Sequence, residues 1–136
     1  MEINRRVGGG VTVLELTGPF VVSPGETEVL PLRSAIRHLV AEGRPTVALN
    51  LAGLTAIDAR GLGELVLAFT TVRSHGGALA LVAPPPTVTR LLAVTKLDGI
   101  LPVCASAADV AAAARAVQDG TERRRGRTRE VEALRY

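Results

Sequence analysis

Two short and almost unbroken apolar runs constrain this chain more than any other feature. They are Val47-Ala48-Leu49-Asn50-Leu51 and Ala78-Leu79-Ala80-Leu81-Val82-Ala83. A strand with one wet face alternates apolar and polar side chains. A run without that alternation is covered on both faces, as in the centre of a mostly parallel sheet. Between the runs, Leu62, Leu65, Val66, Phe69 and Val72 recur at helical spacing, and Gly76-Gly77 ends the pattern. Upstream, Leu32, Ile36, Leu39 and Val40 repeat in the same way, with Pro31 suited to a first helical turn and Gly43 to a stop. Helices that alternate with short buried strands define the α/β class.

The remaining elements extend this pattern. Ile3–Val7 and Val11–Thr17 are predicted to form a hairpin, because Gly8-Gly9-Gly10 supplies positive φ angles for a turn. A phosphate cradle at these glycines is disfavoured, since a strand and not a helix follows them. Gly18-Pro19 is expected to break the second strand ahead of a loop through Ser23-Pro24-Gly25. Pro84-Pro85-Pro86 is expected to block a strand and open a turn. A short helix over Thr89–Val94 and a short strand over Ile100–Cys104 follow. Ser106-Ala107-Ala108-Asp109 has the form of a capping box, with Asp in place of Glu, ahead of an alanine-rich helix to Val117. The expected fold is a mixed, mostly parallel sheet with an N-terminal hairpin and four packed helices. One domain spans residues 1–118, and residues 119–136 form a charged tail expected to be mobile or loosely helical.

Composition removes several function classes. One cysteine, Cys104, and two histidines, His38 and His75, cannot build a structural zinc site, so no metal is expected. No disulfide can form within the chain, which suits a reducing cytoplasm. Cys104 reads as a small buried residue, and each histidine as a surface or helix residue. No apolar run reaches the roughly 20 residues that span a bilayer, so no membrane insertion is expected. No apolar segment follows Arg5-Arg6 to make a signal peptide. The single lysine, Lys96, lies in no P-loop, and no cofactor is expected. No nucleophile–base spacing stands out, and Asp58 and Glu64 lie too far apart around a helix to cooperate, so the chain is read as no enzyme.

Nucleic-acid binding is disfavoured as well. The aromatic residues are Phe20, Phe69 and Tyr136, too few for a stacking platform. The net charge of +3 divides unevenly. Residues 119–136 carry six arginines against four acids, and residues 1–118 carry ten basic against nine acidic groups. The domain is nearly neutral, and the run Arg123–Arg127 reads as a solvated tail and not as a specific nucleic-acid contact.

The most informative stretch is Asp58-Ala59-Arg60-Gly61-Leu62-Gly63-Glu64, which opens the second helix. Asp58 is a good N-cap, since its carboxylate can accept orphan N–H groups of the first turn and complement the helix dipole. Gly61 and Gly63 each cost about 1 kcal/mol of helix propensity. Either they bare the helix for a partner or they permit tight internal packing; the sequence leaves both open. Arg60 pairs with Asp58 or Glu64, contacts an acidic partner, or lies exposed to solvent.

A strand ending Leu49-Asn50-Leu51, then Asp-x-x-Gly-Leu-Gly and an amphipathic helix, resembles the STAS domain of anti-sigma factor antagonists. The likeness covers roughly residues 2–117, including the hairpin, the segment Arg73-Ser74-His75-Gly76-Gly77, and Leu91–Leu97 followed by a strand. In that family the motif is usually Asp-Ser-Ser/Thr-Gly-Leu-Gly, and its first serine is phosphorylated by a kinase that is also the anti-sigma factor. Phosphate there disrupts docking. The resemblance implies a cytoplasmic module that binds a serine-kinase-type anti-sigma factor. It implies a docking surface of Asp58, Ala59, Arg60, Gly61, Leu62 and Gly63, with Phe20 from the loop after the second strand. The chain departs from the family at the decisive position, because Ala59 has no oxygen to accept phosphate and Arg60 follows it. The nearest hydroxyl, Thr55, lies before Asp58. The departure gives weight to another STAS domain, or an ATPase subunit of a stress-signalling or lipid-transport complex, as the partner.

Overall fold

The computed structural model describes residues 1–21, 30–43 and 45–114. In chain order it forms β1 (Glu2–Gly8), β2 (Val11–Phe20), α1 (Leu30–Ala41), β3 (Thr46–Ile57), α2 (Ala59–Ser74), β4 (Ala78–Val82), α3 (Pro86–Val94), a 3-10 turn (Leu97–Gly99) and β5 (Val103–Cys104). A last helix, α4, occupies residues 107–114. The five strands form one sheet in the order β1-β2-β3-β4-β5; β1 and β2 are antiparallel, and the other pairs are parallel. This is the mixed α/β architecture that the apolar runs predict.

The two faces of the sheet bury side chains of different size. Leu14 and Leu16 of β2, Val47, Leu49 and Leu51 of β3, and Leu79 and Leu81 of β4 point to one face. Leu32, Ile36 and Leu39 of α1, Leu65 and Phe69 of α2, and Val88 and Leu92 of α3 cover that face. The alternate positions, Val11, Ala48, Ala80 and Val82, meet Val110 and Ala111 of α4. Period-two alternation thus splits each apolar run between two cores, which is why neither run has a polar side to spare.

Several boundaries differ from expectation, each for a physical reason. β2 continues through Gly18-Pro19 to Phe20. Gly18 takes φ 86° and the ladder to β3 shifts register there, so the break becomes a bulge. β1 has already ended opposite Thr17, so the missing N–H of Pro19 costs no bond on that side. Pairing with this extension carries β3 on to Ile57. The proline run starts a helix instead of a turn, with Pro86 at the first position of α3. The predicted strand over Ile100–Cys104 shrinks to Val103–Cys104, because the N–H groups of Ile100 and Leu101 turn back to Leu97 O of the 3-10 turn and Pro102 has no N–H for a ladder. The Ser106 hydroxyl accepts from Asp109 N at 3.2 Å, so that cap forms. Cys104 is half-buried, and His38 and His75 are exposed on or beside helices. The Ser23-Pro24-Gly25 loop, the extension of α4 to Val117 and the tail 119–136 lie outside the described residues.

The turn from α2 to β4 depends on two glycines. Gly76 N donates to Arg73 O at 3.0 Å and Gly77 N to Val72 O at 2.9 Å, the paired bonds of a Schellman stop, with Gly76 at φ 79°. A Cβ on Gly77 would run into Pro45 O, with Pro45 Cδ and Val72 Cγ1 each at 2.9 Å. Gly77→Ala is therefore expected to destabilise the domain by about 1–3 kcal/mol. Urea unfolding followed by circular dichroism measures the loss; an unchanged midpoint would contradict this packing account.

Candidate functional site

The parallel strands β2 and β3 end side by side, with Phe20 opposite Ile57. Asp58 follows at once and starts α2. Its backbone is extended, and its carboxylate accepts from Gly61 N at 2.7 Å, as expected of an N-cap. Its own N–H donates to Phe20 O at 3.4 Å, and its carbonyl accepts from Leu62 N at 2.9 Å. One residue thus ties the end of the sheet to the first turn of the helix.

The two glycines, ambiguous in sequence, prove to have different roles. A Cβ on Gly61 would strike the Phe20 carbonyl oxygen and would stand 3.0 Å from Ile57 Cγ1 and 3.3 Å from the Phe20 ring. Gly61 is a packing residue that lets α2 sit against the end of β2. A Cβ on Gly63 would meet nothing within 4 Å, so Gly63 bares the surface.

Burial divides the expected docking set. Ala59, Arg60 and Gly63 are exposed, and Asp58 is half-buried. Phe20 is 1% exposed and Leu62 3%, and Gly61 is buried too. Phe20, Gly61 and Leu62 are therefore no part of an accessible face. Phe20 ends a buried strand and sends its ring into the main core, and Leu62 belongs to the core stripe of α2. These three hold the surface in place, while Ala59, Arg60 and Gly63 present it. Thr55 is exposed but stands on β3, before the helix start.

One expected partner of Arg60 is taken. Glu64 receives Arg33 of α1 through two bonds, Nε to Oε2 at 2.9 Å and Nη2 to Oε1 at 2.5 Å. The hydrogen bond first, and the carboxylate charge second, push the Arg33 guanidinium above its ordinary pKa. Folded and unfolded Arg33 alike stay protonated far above neutrality, so this bridge is not a pH switch there. The first turn of α2 carries no acidic residue beyond its cap. Arg60 thus adds to the positive end of the helix dipole, which the Asp58 carboxylate at the cap offsets.

The sequence did not point to the groove beside this helix start. Leu32, Arg33, Ile36, Arg37 and Val40 of α1 face Leu67, Ala68 and Thr71 of α2 across a cleft of about 320 Å³. Leu67 is 44% exposed there. The available signal was its place outside the apolar stripe of α2, where a soluble helix ordinarily carries a polar residue. Among the described residues no group of His, Cys, Asp or Glu could hold a metal ion, and no helix is long and apolar enough to cross a membrane.

Comparison with known proteins agrees with this fold. A homolog of TM1081 from Thermotoga neapolitana, named for anti-sigma factor antagonism, is 37% identical over 62 residues. The match takes in 46% of this chain and 55% of that one, so the chain spans about half the length of this curated relative. The crystal structure of the TM1081 protein of Thermotoga maritima superposes with a TM-score of 0.71 at 22% identity, over 83% of this chain and 94% of that one. The anti-sigma factor antagonist SpoIIAA, in its unphosphorylated form, superposes with a TM-score of 0.61 at 18% identity, over 92% and 97% of the two chains. These likenesses establish a shared fold. The STAS domain model matches residues 2–110, from the first strand of the hairpin into the last helix, and on that match the chain belongs to the STAS domain family.

Proposed function

We propose that this domain is a cytoplasmic anti-sigma factor antagonist that works by binding and not by catalysis, and that its partner is a serine-kinase-type anti-sigma factor. The observation that carries this reading is the exposed and sterically bare start of α2: Ala59, Arg60 and Gly63 around the Asp58 cap. It occupies the place where the family motif docks. The mechanism is competition. The domain and the sigma factor exclude each other from the anti-sigma factor, and their relative affinities set the amount of free sigma factor.

Ala59 makes the antagonist constitutive. It stands at the first helical position, exposed, where a family member carries the phospho-acceptor serine. A phosphate there would add about two negative charges and a bulky group to a docking face. Ala59 accepts no phosphate, so this chain keeps the docking-competent form. Control then acts through the amount of protein. Incubation with the kinase and ATP is expected to leave the intact mass unchanged, while Ala59→Ser acquires one phosphate. A phosphate mapped within residues 55–63 of the unaltered chain would overturn the reading.

The partner class is tested by capture from the native host, with the unaltered chain and Arg60→Ser as baits. Recovery of a kinase-type anti-sigma factor supports the proposal. Recovery of a transport ATPase subunit or another STAS protein in its place refutes it.

The two glycines give a paired test of the docking face. Gly63→Ala is expected to raise stability by up to about 1 kcal/mol, because alanine favours the helix and meets no neighbour. The same change covers the bare surface, so it is expected to weaken partner binding. Gly61→Ala is expected to cost about 1–3 kcal/mol by overpacking. Thermal melts and titration calorimetry separate the two; undiminished partner binding by Gly63→Ala would remove Gly63 from the docking face.

A further inference from the structure

We propose that a second copy of this chain pairs along the outer edge of β1, antiparallel and centred on Asn4, so that two five-stranded sheets become one continuous sheet. β1 is the end strand of the sheet, and six of its seven residues are exposed. An edge of this kind is a template for another strand unless something blocks it. At the opposite edge β5 has only two residues and offers little ladder.

Backbone parity identifies the groups that face outward. Gly9 and Gly10 take φ 61° and 79° and close a two-residue turn with Gly8 opposite Val11. The closing pair of such a turn exchanges both backbone hydrogen bonds, and bonded and non-bonded pairs alternate along the hairpin. The ladder from Gly8–Val11 to Glu2–Thr17 has no register shift. Gly8, Arg6, Asn4 and Glu2 therefore bond inward to β2. Val7, Arg5 and Ile3 turn their N–H and C=O groups outward.

A two-fold antiparallel pairing must use those three as its bonded positions, which leaves few registers. Centring on Arg5 or on Arg6 sets that arginine opposite itself, and like charges directly opposite are destabilising. Centring on Ile3 sets Glu2 opposite Asn4 and Arg5 opposite Met1, so no opposite charges meet. Centring on Asn4 makes the strand self-complementary. Glu2 falls opposite the partner's Arg6, and Arg6 opposite the partner's Glu2. Val7, 69% exposed, falls beside the partner's Met1. No ion pair among the described residues involves Glu2. Arg6 meets Glu15 through Nε at 3.2 Å, and its side chain is 74% exposed. Its remaining guanidinium N–H groups are open to a second carboxylate on the same face of the sheet. The pairing uses no residue of the α2 docking face, so it stands or falls apart from the proposed function.

A seven-residue edge is small for a protein interface, so the dimer is reversible and dependent on concentration. Sedimentation velocity over a concentration series tests it. The unaltered chain is expected to rise from the monomer toward twice that mass. Glu2→Arg and Arg6→Glu, each of which sets like charges opposite, are expected to stay monomeric alone and to form a one-to-one dimer when mixed. Thermal melts control for the Glu15 contact that Arg6→Glu removes. On a Cys104→Ala background, Asn4→Cys is expected to give a disulfide-linked dimer on mild oxidation, because non-bonded pairs bring Cα atoms to about 4.5 Å. Val7→Cys is expected not to cross-link. A chain that remains monomeric throughout, a dimer indifferent to both charge reversals, or cross-linking through Val7→Cys in place of Asn4→Cys would overturn the proposal.

Discussion

The carbonyl of Phe20 is the point on which the site depends. It closes the β2 end of the sheet, accepts the Asp58 N–H, and lies where any side chain on Gly61 would have to go. The Phe20 ring, meanwhile, is sealed in the main core. A buried aromatic side chain and a bonded carbonyl on the same residue leave the end of β2 little freedom. The first turn of α2 is fitted against that fixed end. Asp58 then caps the turn, an interaction that typically contributes about 0.5–2 kcal/mol. Precision at an exposed surface is here a consequence of burial one layer below it.

The unequal faces of the sheet extend the same logic. Leucine and phenylalanine fill the space under α1, α2 and α3, so these helices stand off the sheet by the depth of large side chains. On the other face, Ala48 and Ala80 meet Val110 and Ala111, and α4 can approach closely. The Arg33–Glu64 bridge joins α1 and α2 across their outer edges. The helix that carries the site is thus held by the core beneath it, by the sheet end before it and by a neighbouring helix beside it.

Much of this was legible in the sequence, because much of it rests on local rules. The unbroken runs at Val47 and Ala78, the helical stripes and the Asp58 cap are properties of short windows, and each reappears in the structure. What the sequence concealed is long-range. Nothing near Gly61 says that the carbonyl of Phe20 will lie against it, so Gly61 and Gly63 read alike until the fold separates them. Phe20 looked like a loop aromatic because Gly18-Pro19 reads as a break. Pairing with β3 overrode that punctuation and drew Phe20 into the core. The proline run is ambiguous for the opposite reason: proline ends a strand and starts a helix equally well, and only the burial of Val88 and Leu92 that follow decides.

Ala59 and Arg60 bear on how the proposed antagonist is controlled. A helix N-terminus carries roughly half a positive charge from its unpaired N–H groups. A phosphate placed there would add about two negative charges beside the Asp58 carboxylate, and its removal would take them away, which makes a two-state surface. In the proposed function Ala59 stands at the acceptor position, and Arg60 adds a positive charge beside it, both exposed. Glu64, the carboxylate one turn on, is bonded to Arg33 and held away from this role. On that reading the two residues act in the same direction, since Ala59 takes up no phosphate and Arg60 offsets the Asp58 charge. A surface that takes up no phosphate cannot report a kinase's activity, so in the proposed function what it reports is how much of the protein is present.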